Sequence, residues 1–308
     1  MTTQAECTIV VMPRDRFSTT SACLDSILEN TPGPFELKAL LGGAPAHLKA
    51  RWLERYASRV DFTFLPDFKN GAELRNLALR TIRTPLAVFL DTDVYVRPNW
   101  LDPLLQCQRE TGADLVVPVV LDRNDLIHTA GNDFFITYRN GQAYGIMELR
   151  YAHHPVYSGG TNLKRQDIAF GEIHCHLVVA ATAAKLGIYD ERLREGHEID
   201  SGLTLSRHGR RMMFEPRSMV YLTYPEQLDD IDDVSIYVWK WDMPAMLEGW
   251  DYFKKKWNID VNPDGRYERY LRDVVNTRVG RWTRRWPSRF SIAVDRARRR
   301  LRGALVGR

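Results

Sequence analysis

Short apolar runs and amphipathic stretches alternate along the first hundred or so residues of this 308-residue chain. ECTIVVM at 6–12 is an apolar run closed by Pro13 and predicts a buried strand. FSTTSACLDSILEN at 17–30 spaces Cys23, Ile27 and Leu28 for one helical face, and Thr31-Pro32-Gly33 ends it. FELKALLGG predicts the next strand, HLKARWLERYAS a helix, VDFTFL a strand, AELRNLALRTIR a helix carrying Leu74 and Leu77, and PLAVFL a further strand. Such alternation predicts βαβ units, hence an α/β fold with a mostly parallel sheet flanked by helices. Ligands of these sheets sit beyond the carboxyl ends of the strands, and Asp91-Thr92-Asp93 stands at such an end.

From Asp122 to about Gly171 the periodicity loosens into a stretch rich in Gly, Asn, Tyr and His, read as short strands and loops over a substrate opening. HCHLVVAATAAKLGIYDERL then predicts a strand, a helix and a turn, and GHEIDSGLTLSRHGRRMMFEP a helix and a strand. The last 83 residues, 226–308, read as a helical C-terminal extension.

At 44% hydrophobic and 27% charged, the composition is that of a folded globular protein. The longest apolar runs, such as LVVAATAA, fall short of the ~18–20 residues that span a bilayer. The first residues lack the basic and apolar regions of a secretory signal, so a cytoplasmic location is expected. The four cysteines show no metal-ligand spacing and read as reduced thiols.

The net charge of +4 hides a segregation: residues 266–308 hold 14 Arg against three acidic residues, a net +11 that leaves −7 for the rest. Val275, Val279, Trp282 and Trp286 share one helical face there, and Phe290, Val294, Ala297 and Leu301 repeat the spacing beyond Pro287. This suits either an anionic membrane surface at the inner face of the cell membrane or packing, including homodimerisation. No nucleic-acid motif accompanies the charge, and no nucleic-acid partner is expected.

Two aspartates one residue apart at a strand end can both reach a hard divalent cation, whose charge relieves their repulsion. Alone, an Asp-x-Asp is a weak signal. Its surroundings are more specific: Gly71, Arg75-Asn76, the strand ending in Asp91-Thr92-Asp93, and Pro98-Asn99-Trp100-Leu101 occur in an order that resembles glycosyltransferase family 2, a group with the GT-A (Rossmann-like) fold. TIVVMPRDRFSTTSACLDSIL is similar to that family's first strand, nucleotide-facing loop and first helix. AATAAKLGIYDERLREGHEIDSGLTLSRHGRRM resembles its acceptor-side segment.

The resemblance implies a GT-A catalytic domain at 1–225, with the nucleotide-sugar half at about 1–121 and the acceptor half at 122–225. It implies an inverting transfer of sugar from a nucleoside-diphosphate sugar to a hydroxyl of a glycan, glycolipid or natural product. Mn²⁺ or Mg²⁺ would sit on Asp91 and Asp93, and Pro13, Arg14, Asp67, Arg75 and Thr92 would join them on the donor side. The family's Glu-Asp pair aligns with His197-Glu198, which makes Glu198 the first candidate base and Asp200 the second. The helix dipole would stabilise either carboxylate. Asp200 also reads chiefly as a helix cap.

Three departures accompany the match. Leu41-Gly42-Gly43 stands where the family often has a base-contacting Asp, for which Asp67 is the substitute; PRSMVYLTYPE lacks the late metal-binding His; and the acidic motif begins with His197. His174 and His176 would share a strand face and either line the site, bind metal or pack, while His153-His154 lies where acceptor contact is open.

Rival readings fare less well. A haloacid dehalogenase type phosphatase expects Thr or Val where Tyr95 stands and places its Asp-x-Asp on the first strand. A nucleotidyltransferase expects a Gly-rich triphosphate loop. A non-catalytic sugar-nucleotide or glycan-binding GT-A protein fits the departures but not the retained Asp91, Asp93 and Glu198.

Overall fold

A computed structural model describes residues 5–156, 162–223, 228, 230–262, 265 and 268–269. β1 (Cys7–Met12), α1 (Thr20–Asn30), β2 (Glu36–Gly42), α2 (Ala46–Tyr56), β3 (Asp61–Leu65), α3 (Gly71–Thr81) and β4 (Leu86–Asp91) alternate as expected. β5 (Val94–Val96), α4 (Leu101–Thr111), β6 (Leu115–Leu121) and β7 (Ile127–Thr129) follow. Then come β8 (Asn132–Arg139), β9 (Gln142–Leu149), β10 (Gln166–Asp167), β11 (Cys175–Val179), α5 (Ala180–Leu186), α6 (His197–Arg207) and β12 (Met212–Leu222). The described part of the extension folds as α7 (Ile231–Lys240), α8 (Met243–Trp257) and β13 (Ile259–Asp260).

The main sheet runs β10-β12-β6-β11-β4-β1-β2-β3, with β5 and β7 paired at its side. β4, β1, β2 and β3 are mutually parallel, as are β6 and β12. β11 enters between β4 and β6 antiparallel to both. Side-chain alternation along β1 splits the core: Ile9 and Val11 pack with Leu24, Trp52 and Leu104 on one face, Val10 and Met12 with Leu74, Ala78 and Ala183 on the other. Both faces are apolar, so the strands read as continuous buried runs. All four cysteines are free and buried within these layers.

The loose segment corrects one expectation. β8 and β9 form a hairpin paired from Asn132–Leu149 to Arg139–Gln142, well beyond a short strand. Its turn is Asn140-Gly141, with φ of 49° and 78°. That dipeptide suits a two-residue hairpin turn whose central residues both need positive φ.

The extension packs on the main layers. Trp250 and Phe253 of α8 and Ile259 of β13 join Ile199 and Phe170 in a third cluster. From α7, Asp233 is 1% exposed and its Oδ1 accepts hydrogen bonds from the Phe17 and Ser18 amides at 2.6 and 3.0 Å. Ser18 Oγ donates to Asp233 Oδ2 at 2.5 Å, and Trp241 Nε1 donates to Asp15 Oδ2 at 3.0 Å. The amphipathic pattern from Val275 to Leu301, with its membrane and dimer readings, lies outside the described residues. Among the described residues no helix is long and apolar enough to cross a membrane.

Candidate active site

The site forms where β1 and β4 end side by side, Met12 opposite Asp91. The Thr92 amide donates to Met12 O at 2.9 Å and Thr92 Oγ1 to Arg16 O at 3.1 Å, which fixes the turn carrying Asp93 against the loop after β1. Because β11 is antiparallel to β4, the chain arrives at this same edge before entering β11, and the Asp91 amide donates to His174 O at 3.0 Å. Residues 172–174 thus close one side of a cleft, with Pro13 and Arg14 on the other.

α3 supplies the next wall. Its start is set by a capping box in which Asn70 Oδ1 accepts from the Glu73 amide at 2.9 Å and Glu73 Oε2 from the Asn70 amide at 2.8 Å. One turn in, Arg75 is 1% exposed, its Nη2 donates to Ile173 O at 3.2 Å, and it stands 3.8 Å from Asp91. Its Nε and Nη1 find no hydrogen-bond acceptor among the described residues. A β-carbon at Gly71 would come within 2.6 Å of that Nη1, so the glycine makes room for the guanidinium. A buried cation with unused donors on a cleft is a ready partner for an anion.

The carboxylates form the floor. Asp93 is fully buried, neither of its oxygens accepts a hydrogen bond among the described residues, and Arg14 stands 3.8 Å away. Burial raises its carboxyl to about 6, with Arg14 pulling down and Asp91 pushing up. His174 Nδ1 is 2.8 Å from Asp91 Oδ2, and the ligating atoms of Asp91, Asp93 and His174 all lie within 4.8 Å of one another. Burial and Arg14 oppose a charge on His174, but Glu172 and Asp91 outweigh them and lift it to about 10. Two carboxylates with unused lone pairs beside an imidazole are a donor set that divalent cations such as Mn²⁺ accept. The residues present therefore fit a divalent ion.

Across the cleft, α6 begins at His197 after Gly196, whose φ of 77° and contact with the Trp250 ring exclude a side chain. Glu198 faces the cleft, half-buried. Burial raises its carboxyl to about 7, Glu195 and Glu172 adding to the rise while Lys240 opposes it. Lys240 is held by Glu195 at 2.7 Å and by Arg194 O at 2.9 Å. His197 is held neutral, burial and Arg75 pushing its imidazole well below the usual range.

The sequence-predicted residues divide by position. Pro13, Arg14, Arg75, Asp91 and Glu198 line one cleft, with Thr92 and Asp93 buried at its base. Asp67 is exposed at the turn after β3 and is not among the lining residues; Gly42 allows its carbonyl close approach, since a β-carbon there would sit 2.6 Å from it. Asp200 is fully buried on the other side of α6, where Trp257 Nε1 donates to it at 2.7 Å and Lys256 pairs with it at 2.7 Å. It caps nothing, because the first turn of α6 has no side-chain cap. The two histidines expected on one strand face also part: His174 precedes β11 and lines the cleft, whereas His176, within β11, bonds Tyr189 Oη at 2.6 Å in the core; His153 and His154 are exposed.

Sequence reading missed Glu172, Glu195, Trp239 and Lys240, which complete the walls. Lys240 had no sequence signal, being far along the chain in no motif; Glu172 needed the strand order. A larger hollow of about 540 Å³ under the hairpin is floored by Phe134, Phe170 and Leu203, and its one carboxylate, Asp167, is engaged by Arg211 at 2.7 Å.

The sequence model described as Glycosyl transferase family 2 matches residues 8–170, more than half of the chain. The chain belongs to glycosyl transferase family 2. The match takes in β1 through β10, and so the aspartate side of the cleft. Two curated relatives, the pre-mycofactocin glycosyltransferases of Mycobacterium tuberculosis strains CDC 1551 / Oshkosh and ATCC 25618 / H37Rv, are each 24% identical over 165 residues. That match covers 54% of this chain and 32% of theirs, so it spans about a third of the relatives' length. Among solved structures, GalNAc-T7 with UDP, GalNAc and Mn²⁺ superimposes with a TM-score of 0.55 at 14% identity, covering 93% of this chain and 59% of that one. S. aureus TarS 1-349 gives 0.50 at 13% identity, covering 81% and 72%. These likenesses establish the GT-A fold for this family 2 chain.

Proposed function

We propose that this family 2 protein is an inverting glycosyltransferase that moves a sugar from a nucleoside-diphosphate sugar to an acceptor hydroxyl. The observation that carries the reading is that one cleft holds Arg14, Arg75 and Asp91 on one side and a carboxyl poised near neutrality, Glu198, on the other. A diphosphate leaving group and a deprotonated acceptor are the two charges such a reaction must manage. The structural neighbour holding UDP and Mn²⁺ supports a nucleotide donor and a divalent ion at Asp91 and Asp93.

In this mechanism Arg14, Arg75 and Lys240 place fixed positive charge around the diphosphate and orient it at the carboxyl ends of β1 and β4. Glu198, ionised above about 7, accepts the hydroxyl proton as the acceptor oxygen bonds to the anomeric carbon and the carbon–oxygen bond to the diphosphate breaks. The sugar inverts because attack and departure use opposite faces. A bound divalent ion would supply further neutralisation of the leaving diphosphate. Asp200 stays outside the chemistry, since Lys256 and Trp257 hold it on the far side of the helix.

The test is a panel of nucleotide sugars with Mn²⁺, scored for donor binding and for release of nucleoside diphosphate. Binding and turnover that disappear in Asp93→Ala are expected. A wild-type chain that binds and turns over no donor would sink the transferase reading.

A further inference from the structure

We propose that Nδ1 of His174 is the third protein ligand of the cation on Asp91 and Asp93, and that Glu172 is the carboxylate holding that ring in its ligating tautomer. The proposal rests on the cation reading of the two aspartates given above. The residue is not one that the match to family 2 assigns: the sequence after β12 lacks a histidine, and the last one in the chain, His208, points its Nδ1 at Thr204 O 2.9 Å away.

His174 reaches the site because of strand direction. The antiparallel entry of β11 sets its carbonyl on the Asp91 amide, so the ring is anchored by its own backbone to the residue whose Oδ2 it faces at 2.8 Å. Its other nitrogen, Nε2, stands 3.4 Å from Glu172 Oε1, and His128 Nε2 approaches the same oxygen at 3.3 Å. Imidazole ligands of metals usually donate their second N–H to a carboxylate, which fixes the tautomer and raises ligand basicity. A cation would displace the proton that Nδ1 now donates to Asp91 Oδ2, leaving N–H on Nε2 toward Glu172 and freeing the Nδ1 lone pair beside an Asp93 whose buried oxygens accept no hydrogen bond among the described residues. The ligand atoms of the three residues converge within 4.8 Å, so a cation would take the place of the bridging proton and draw on all three. The competing arrangement is an imidazolium bridging Asp91 and Glu172 without coordinating anything.

Mn²⁺ separates the two. Titration of the full chain with Mn²⁺, alone and with UDP, is followed by electron spin echo modulation of the bound ion, which detects a directly coordinated ¹⁴N. The wild type is expected to show one such nitrogen. His174→Ala is expected to lose it and to bind Mn²⁺ about 10-fold or more weakly, and Glu172→Gln to keep the nitrogen while losing about 10-fold in affinity. Mn²⁺ bound by the wild type without a nitrogen, or held equally well by His174→Ala, overturns the ligand role of His174 and leaves the aspartate pair standing. Wild-type affinity in Glu172→Gln overturns the role of Glu172. If the wild type binds no Mn²⁺ in either condition, or Asp93→Ala binds it unchanged, the cation reading of the aspartates itself falls.

Discussion

Replacing Glu198 by glutamine should make the protein worse at its reaction and better at staying folded. The carboxyl is raised from 4.5 to about 7, chiefly by burial, with Glu195 and Glu172 adding. The unfolded chain returns it to its ordinary value, so between those two values the folded state binds the proton more tightly. Stability therefore falls as pH rises through that window, and above about 7 the full cost of the buried carboxylate is present. A shift of this size corresponds to roughly 3 kcal/mol. Glutamine keeps the shape and never ionises. Urea unfolding should then show Glu198→Gln more stable than wild type by roughly 1 kcal/mol at pH 5.5 and by roughly 3 kcal/mol at pH 8.5. Turnover should fall by about 10²–10⁴, the usual scale for loss of a general base. A stability difference that does not grow with pH, or a variant less stable than wild type at pH 8.5, would refute the argument that the carboxyl is held near neutrality by its surroundings.

The neighbours of Glu198 give a second handle: Glu195→Gln should move the acidic limb of the kcat/KM–pH profile to lower pH and Lys240→Met to higher pH, because one charge raises the carboxyl and the other lowers it. Asp200→Asn should turn over within a few-fold of wild type, because Lys256 and Trp257 hold the carboxylate on the far side of α6; abolished turnover in a folded variant would make it the base instead. Asp233→Ala strips a buried carboxylate from two amides and a hydroxyl, and about 3 kcal/mol should be lost by denaturant titration together with weakened donor affinity.

The parallel half of the sheet was legible because each of its strands is a short apolar run and each helix shows one apolar face. Asp91 and Asp93 were legible for the same reason: PLAVFL announces a buried strand, and a charged pair at its end calls for a partner. Glu198 came from motif order. What stayed hidden depends on strand direction. An all-parallel sheet would put the entry to β11 at the opposite edge from Asp91, so the nearness of His174 and Glu172 to the aspartates emerges only once β11 is seen to run against β4. Periodicity reports which face a residue takes but not which way its strand points. The β8–β9 hairpin is a different case. Asn140-Gly141 carries the turn in plain view, but the flanking residues alternate poorly because several apolar ones, Phe135, Ile146 and Met147 among them, are exposed.

The bond between Asp233 and the Phe17–Ser18 amides also says something about the order in which the molecule can be made. Those partners are 215 and 216 residues apart in sequence. During synthesis the first strands can pair as soon as they emerge, since their contacts are local by comparison. The loop after β1 has to wait for α7, which appears only after the entire main sheet has been translated. A chain halted before residue 230 would have the aspartates and Glu198 but neither Lys240 nor the anchor for residues 17 and 18. Competence for the donor is thus expected late in folding, as the closing of this long loop rather than as a property of the first half of the chain.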